Sequence, residues 1–231
     1  MNNNNLIKII SLVSLNRGIR EGEVNGVDYN FISKEEVLDR KEKGLLMQYT
    51  AVNDVHYGYE KSSFEKIKEL IVLCAESGAG KDSVMEYISK EYGSEFIGET
   101  AFLFSVPDTI HLFVEYGKEN NINVTVVFID VEKDERFKRV VAGGLKERHP
   151  DLEFEVLDGL AIKSETVFDS SDVSVIQKSR NRIERFKVPF SEKIAELNKD
   201  GFDIKTIDGT NITLAETAKQ IMDAFLASRK D

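Results

Sequence analysis

Apolar positions along this chain fall into short runs separated by charged stretches with a helical period. Leu6–Val13 is an Ile-rich apolar run of strand length, followed by a charged, glycine-bearing loop at Asn16–Gly26. A short strand is predicted at Tyr29–Ile32. Ser33 and Glu36 have the spacing of a capping box, in which a hydroxyl accepts from a backbone N–H three residues on, so a short helix opens there. Leu45–Val52 reads as another strand, and Ser62 with Glu65 as the start of a second short helix. Leu70–Cys74 is a continuous apolar run leading into Ala75-Glu76-Ser77-Gly78-Ala79-Gly80-Lys81, after which a helical pattern continues to Tyr92. Ala101–Val106 and Val124–Asp130 are buried-type strands separated by the amphipathic stretch Asp108–Tyr116. Asp134–Phe186 is charged and mostly helical in pattern, broken at Gly143-Gly144 and Gly159. Ile204–Ile207 predicts a last strand, and Thr213 with Glu216 caps a closing helix reaching Ala227. Strands alternating with helices at this spacing predict an α/β fold, a parallel sheet with helices on both faces.

Length and charge narrow what such a fold can do. The 231 residues suffice for one α/β domain with small inserts, and no repeat or low-complexity linker divides residues 1–231. The net charge of −10, from 41 acidic and 31 basic residues, repels polyanions and argues against nucleic acid as a partner. It leaves room for small phosphorylated ligands held by a few clustered Lys and Arg. Cys74, the single cysteine, makes no internal disulfide and offers no metal-ligand cluster, which fits a reducing compartment. No apolar run approaches the ~18–20 residues of a membrane span, and the polar start Met1–Asn5 lacks the character of a secretion signal. A cytoplasmic protein with no membrane partner is expected.

A strand, a glycine-rich turn and a helix beginning at Lys81 are the parts of a phosphate-binding loop, or P-loop. Glycines let backbone N–H groups converge on phosphate oxygens, and the helix N-terminus adds the positive end of its dipole. Ser77, Gly78, Ala79, Gly80, Lys81, Asp82 and Ser83 are the expected ATP-binding residues, with Lys81 reaching the β- and γ-phosphates. Against the pattern G-x-x-x-x-G-K-[ST], Ala75 replaces the first glycine and Asp82 stands where a Ser or Thr binds magnesium. Asp82 could itself ligate Mg2+, or Ser83 could do so one residue later. The competing reading is a plain strand-to-helix turn.

The segment Arg17-Gly18-Ile19-Arg20-Glu21-Gly22-Glu23-Val24-Asn25-Gly26-Val27-Asp28-Tyr29-Asn30-Phe31 resembles the guanylate kinase motif T-R-x-P-R-x-G-E-x-x-G-x-x-Y-x-F. The resemblance extends through Ile32–Glu36 to Tyr57-Gly58, covering Val13–Phe64 well and the rest in outline. It implies a P-loop kinase core with a parallel sheet flanked by helices, plus monophosphate-binding and lid subdomains. On that template 13–66 is the monophosphate-binding segment, 70–131 the P-loop core, 134–186 the lid region and 187–231 the completion of the core. The resemblance also implies ATP as phosphoryl donor with Mg2+, small-molecule nucleotides as partners, and a monomer or homodimer. Arg17, Arg20, Tyr29 and Tyr57 would hold the acceptor phosphate. The chemistry agrees: two guanidiniums three residues apart can converge on one dianion, and tyrosine hydroxyls complete the cage.

The chain departs from the family at the base-reading positions. Gln48 stands where guanylate kinases carry a glutamate that accepts from guanine N1–H and N2–H₂. An amide offers one acceptor and one donor, so the guanine fit weakens. Tyr59 occupies the place of a small hydroxyl residue that touches the base, Val106 that of an aspartate, and Leu15-Asn16 that of paired threonines. The order of segments differs too, since here the P-loop unit follows the monophosphate-binding segment.

Kinases of this class close an arginine-bearing lid over the donor phosphates, where positive charge stabilises the transferring phosphoryl group. Arg136, Lys138, Arg139 and Arg148, with Arg180, Arg182 and Arg185, are the candidates, and Arg139 and Arg182 are the expected catalytic pair beside Lys81. A solvated charged face is the competing reading. Isolated His56, His111 and His149 predict structural or surface roles. The leading function is an ATP-dependent nucleoside monophosphate kinase acting on GMP, dGMP or a related acceptor. The alternatives are a catalytically silent guanylate-kinase-like module that binds a nucleotide or a protein, and a P-loop kinase for another small phosphorylated acceptor.

Overall fold

The computed structural model describes residues 8–9, 12–15, 17–19, 23–26, 29–52, 54–93, 99–145, 148–149, 155–157, 161–163 and 169–229. The apolar run expected as one strand over Leu6–Val13 is two strands, β1 (Lys8–Ile9) and β2 (Leu12–Leu15), in different sheets. Lys8 and Ser11 interrupt the run, and two sheets share it. β3 (Tyr29–Ile32), α1 (Lys34–Glu42) and β4 (Leu46–Val52) follow as expected. Next comes β5 (Val55–Glu60), a strand not assigned from the sequence. The helix expected from Ser62 is a single 3₁₀ turn, Lys61–Phe64. Phe64 and Ile67 are both buried and the chain re-enters a strand at Glu69, leaving room for one tight turn.

The chain continues through β6 (Glu69–Ala75), α2 (Lys81–Glu91), β7 (Thr100–Ser105), α3 (Ile110–Asn120) and β8 (Asn123–Asp130). α4 (Lys133–Leu145), the hairpin β9 (Glu155–Leu157) and β10 (Ala161–Lys163), and α5 (Ser170–Ile183) come next. The last elements are α6 (Phe190–Lys199), β11 (Ile204–Asp208) and α7 (Leu214–Ser228). The larger sheet has the order β1-β7-β6-β8-β11 and is a parallel sheet flanked by helices. Its middle strands are apolar on both faces, and every residue from Leu70 to Cys74 is fully buried.

The chain divides into two compact units, Met1–Leu73 with Ser89–Val126 and Phe225–Asp231, and Cys74–Ile88 with Val127–Ala224. The segment 70–131, expected as one core unit, is shared between them. In the first unit a four-stranded sheet has the order β3-β2-β5-β4, with β2 parallel to β3 and antiparallel to β5. Its α1 buries Val37 against Ile32, Leu46 and Tyr49, and Ser33 caps that helix by accepting from the Glu36 N–H at 3.1 Å. Arg229, which follows α7, grips Glu69 through two bonds of 2.7 and 2.8 Å, while the Thr100 hydroxyl donates to the same carboxylate at 2.9 Å.

In the second unit α4 and α5 pack through Phe137, Val141, Leu145 and Ile183. The expected mostly helical stretch from Asp134 is thus two helices with a short hairpin between them. Strands of three residues are too brief to show a period of two, and Gly159 of the connection lies outside the described residues. Thr213 and Glu216 close a reciprocal capping box at α7, with bonds of 3.2 and 2.8 Å.

Candidate functional site

The second unit carries the glycine turn. After Glu76 the backbone enters the left-handed region at Gly78 (φ +88°) and Gly80 (φ +84°), a conformation that side chains with a Cβ rarely adopt. A Cβ at Gly78 would lie 2.5 Å from the Arg136 carbonyl oxygen, so glycine is also what lets the turn approach α4. Ala79 N–H donates to the Glu76 carbonyl at 3.2 Å and Val84 N–H to that of Gly80 at 3.0 Å, so α2 starts at Lys81. Its first-turn N–H groups lack intrahelical partners and suit an anion.

A cavity of about 320 Å³ opens over this turn, lined by Gly78, Gly80, Lys81, Asp82, Ser83, Arg139 and Arg182 among others. Lys81 Nζ lies 2.9 Å from the Asp82 carboxylate. Arg139 is oriented by Glu135 at 2.8 Å and donates to the carbonyl oxygens of Gly209 (3.0 Å) and Thr210 (3.2 Å) at the end of β11. The structure therefore brings together Lys81, Asp82, Ser83, Arg139 and Arg182. Ser77 and Ala79 lie in the turn behind the cavity. Ala79 is buried, and Ser77 Oγ is buried with no hydrogen-bond partner among the described residues.

The remaining lid candidates do not line that cavity. Arg136 is buried: its Nη2 pairs with Glu76 at 3.1 Å and its Nε donates to the Val131 carbonyl at 2.9 Å. It is a bolt behind the glycine turn, neither a lid residue nor a solvated one. Burial pushes the Glu76 carboxyl above the ordinary carboxylate range, against the opposing pull of Arg136. Burial raises Asp130 in the same way. Arg148 pairs with Asp169 and with the buried Asp172, and Arg185 stacks on Phe186. His149 lies 3.0 Å from Asp172 and His56 Nδ1 lies 2.5 Å from the Tyr49 hydroxyl.

The first unit carries the arginine-tyrosine cluster. Strand pairing puts Gln48 opposite Tyr59, Thr50 opposite Tyr57, Ser14 opposite both Tyr57 and Phe31, and Leu12 opposite Tyr29. Directly opposed residues share a sheet face, so Tyr29, Phe31, Tyr57, Gln48 and Thr50 all belong to the face away from Val37 and α1. The Arg17 guanidinium packs on that face, 5.2 Å from the Tyr29 ring centroid and 5.5 Å from that of Phe31. Glu23 holds it fork-to-fork at 2.9 and 3.0 Å. The bond to Glu23 raises the guanidinium's proton affinity, with smaller contributions from the nearby Tyr29 and Tyr57. A two-pronged bond uses two of five N–H donors, so three remain for another anion. Arg20 lies outside the described residues.

Tyr59 corrects the expectation that it touches a base. It is 2% exposed, its ring packs 5.6 Å from that of Phe113, and its hydroxyl donates to the Phe104 carbonyl at 2.9 Å. Burial accordingly pushes the hydroxyl's pKa up. Gln48 Nε2 donates to Thr50 Oγ1 at 2.9 Å. Thr50, Phe31 and Glu23 were not singled out from the sequence. Glu23 stood inside the quoted motif, and Thr50 lies two residues from Gln48 on an alternating strand.

The family model for guanylate kinase matches residues 2–70. The guanylate kinase of Clostridioides difficile (strain 630) is 33% identical over 107 residues, covering 46% of this chain and 48% of that protein. That of Helicobacter pylori (strain ATCC 700392 / 26695) is 43% identical over 56 residues, 24% of this chain and 27% of that protein. The chain thus spans about half the length of the first of these relatives and about a quarter of the second. A solved guanylate kinase from Anaplasma phagocytophilum aligns with a TM-score of 0.47 at 17% identity, over 96% of this chain and 77% of that one. No helix among the described residues is long and apolar enough to cross a membrane.

Proposed function

We propose that this chain is a nucleoside monophosphate kinase that moves the γ-phosphoryl group of ATP onto GMP, dGMP or a related nucleoside monophosphate. The observation that carries this reading is the meeting of Lys81, Arg139 and Arg182 in one cavity over a glycine turn at a helix N-terminus. Such an arrangement is built for a polyphosphate. Backbone N–H groups of Gly78–Lys81 cradle the β-phosphate, Lys81 spans to the γ-phosphate, and Arg139 and Arg182 offset the charge that spreads over the equatorial oxygens. Lys81 leaves its present partner Asp82 for the phosphates as ATP enters.

The acceptor is assigned to the four-stranded sheet of the first unit, which lies within the family-model match to residues 2–70. Arg17 and Arg20 hold its phosphate, and the hydroxyls of Tyr29 and Tyr57 complete the cage. An acceptor phosphate oxygen attacks the γ-phosphorus, the bond to the β-γ bridging oxygen breaks, and ADP leaves. The donor set of Asp82 and Ser83 fits magnesium, a hard cation that takes one or two protein oxygens beside phosphates and water. Held there, Mg2+ would offset negative charge on the donor phosphates. The chain places its P-loop after its monophosphate-binding segment, an order that leaves both sets of residues intact. The buried thiol of Cys74 suits the cytoplasm.

The test is a coupled ADP-release assay with ATP, magnesium and each ribo- and deoxyribonucleoside monophosphate in turn. Phosphoryl transfer to a purine monophosphate is the expected result. Nucleotide binding without turnover for every acceptor would instead identify a silent binding module.

A further inference from the structure

Two strand residues share the sheet face of the arginine-tyrosine cluster. Gln48 and Thr50 lie two apart on β4, opposite Tyr59 and Tyr57, and therefore point to the same side of the sheet. They are half-buried and joined by a bond of 2.9 Å between Gln48 Nε2 and Thr50 Oγ1. A glutamine amide can be assigned either way round, and the conclusion holds for both assignments. If the amide nitrogen donates to Thr50, Gln48 keeps one acceptor oxygen and one N–H, and the Thr50 hydroxyl keeps its own donor. If the threonine donates instead, Gln48 presents N–H donors and Thr50 the remaining acceptor. Neither arrangement presents the paired acceptors without a donor that a carboxylate would. The threonine also holds the amide in register, so it cannot rotate cheaply to suit another edge.

We propose that Thr50 is a positioning residue that fixes the Gln48 amide, and that the couple selects a purine monophosphate presenting one N–H beside one acceptor and lacking the 2-amino group. This rests on the acceptor assignment above. Guanine carries the same N1–H beside O6 as hypoxanthine, but its N2–H₂ adds a second donor that the couple leaves unmet. Hypoxanthine offers N1–H beside O6, and adenine offers N6–H₂ beside N1. Either edge is complementary to an acceptor next to a donor. A buried polar group without a partner costs enough to set the preference at ~10-fold.

The experiment measures kcat and KM for IMP, AMP and GMP with ATP, and the affinity of each monophosphate by titration. It uses the wild-type chain, Thr50→Val and Thr50→Ser. The valine is nearly isosteric and suits a strand, so it removes the hydroxyl alone, and a thermal melt checks that each variant folds. Wild type is expected to favour IMP or AMP over GMP by ~10-fold, and the comparison of IMP with AMP tells which edge is read. Thr50→Val should raise KM for the favoured purine ~10-fold with little change in kcat, collapsing the preference, and Thr50→Ser should restore it. A wild-type preference for GMP over both others would overturn the proposal, as would a Thr50→Val loss equal for all three. If no acceptor turns over, phosphoryl transfer fails as a reading while the titrations still decide the couple: the same ranking supports it, and equal or absent binding ends it.

Discussion

Arg136 and Glu76 form a buried ion pair, with Nη2 3.1 Å from Oε2 and the side chains 7% and 9% exposed. The pair ties the residue that begins the glycine turn to the first turn of α4. Removing one partner strands the other charge in a low-dielectric setting, which costs far more than the intact pair contributes. Glu76→Ala should therefore lower stability by ~3–5 kcal/mol, read from urea unfolding midpoints. A loss under ~1 kcal/mol would show that Arg136 finds water or another acceptor, and that the bolt is not one.

Glu69 gives the fold a pH dependence. Burial alone would raise its carboxyl, but the bonds from Arg229 and Thr100 outweigh burial and leave it below its ordinary 4.5. A carboxyl depressed in the folded state contributes stability that is complete above the unfolded value and is lost as pH falls through the folded one. The stability gap between wild type and Glu69→Gln should be widest near neutrality and shrink as pH drops below about 4.5. Melting temperatures of both proteins across that range check it. A gap that stays constant would mean the Arg229 clamp is absent in solution.

Arg17→Ala should weaken the acceptor nucleotide far more than ATP, because Arg17 belongs to the sheet face of Tyr29 and Tyr57 and not to the glycine turn. A ~10- to 100-fold rise in acceptor Kd follows from the loss of a charge-assisted phosphate contact, with the ATP Kd nearly unchanged. Arg20→Ala should behave alike. Titration of each nucleotide against each variant decides; equal losses for donor and acceptor would remove the cage from the first unit.

Gln48→Glu should raise kcat/KM for GMP or dGMP by ~10-fold, since a carboxylate accepts from N1–H and N2–H₂ together. Adenine nucleotides should gain nothing, as their N1 is an acceptor. Steady-state kinetics with both bases tests the assignment of Gln48, and no change for guanine nucleotides would place that side chain away from the base.

Much of this was legible in the sequence where local chemistry and tertiary context agree. Ser33 and Thr213 announced their helices because a hydroxyl three residues ahead of an amide is a local signal. Gly78 and Gly80 announced the turn because a left-handed backbone favours glycine. The run at Leu70–Cys74 is apolar because both its faces are covered. Residues whose role depends on distant partners were misread. Tyr59 looks like any strand tyrosine until Phe104 and Phe113, far along the chain, bury it. Arg136 shares a helix with Arg139, and only the rotation of α4 sends one inward to Glu76 and the other to the cavity. The β9–β10 hairpin is too short to carry a period, and β5 went unassigned because Tyr57 and Gly58 were read as motif residues.

Lys81→Ala removes the cation assigned to the transferring phosphoryl group. Lys81 begins α2 beside Gly80 and lines the cavity with Arg139 and Arg182, and the account gives it the charge on the transferring phosphoryl group. The measurement is the rate of ATP-dependent phosphorylation of the best purine monophosphate, for wild type and Lys81→Ala, with a thermal melt to confirm the fold. The expected rate is at least ~10²-fold lower, with the melting temperature preserved. A folded Lys81→Ala protein that keeps more than half the wild-type rate would contradict it.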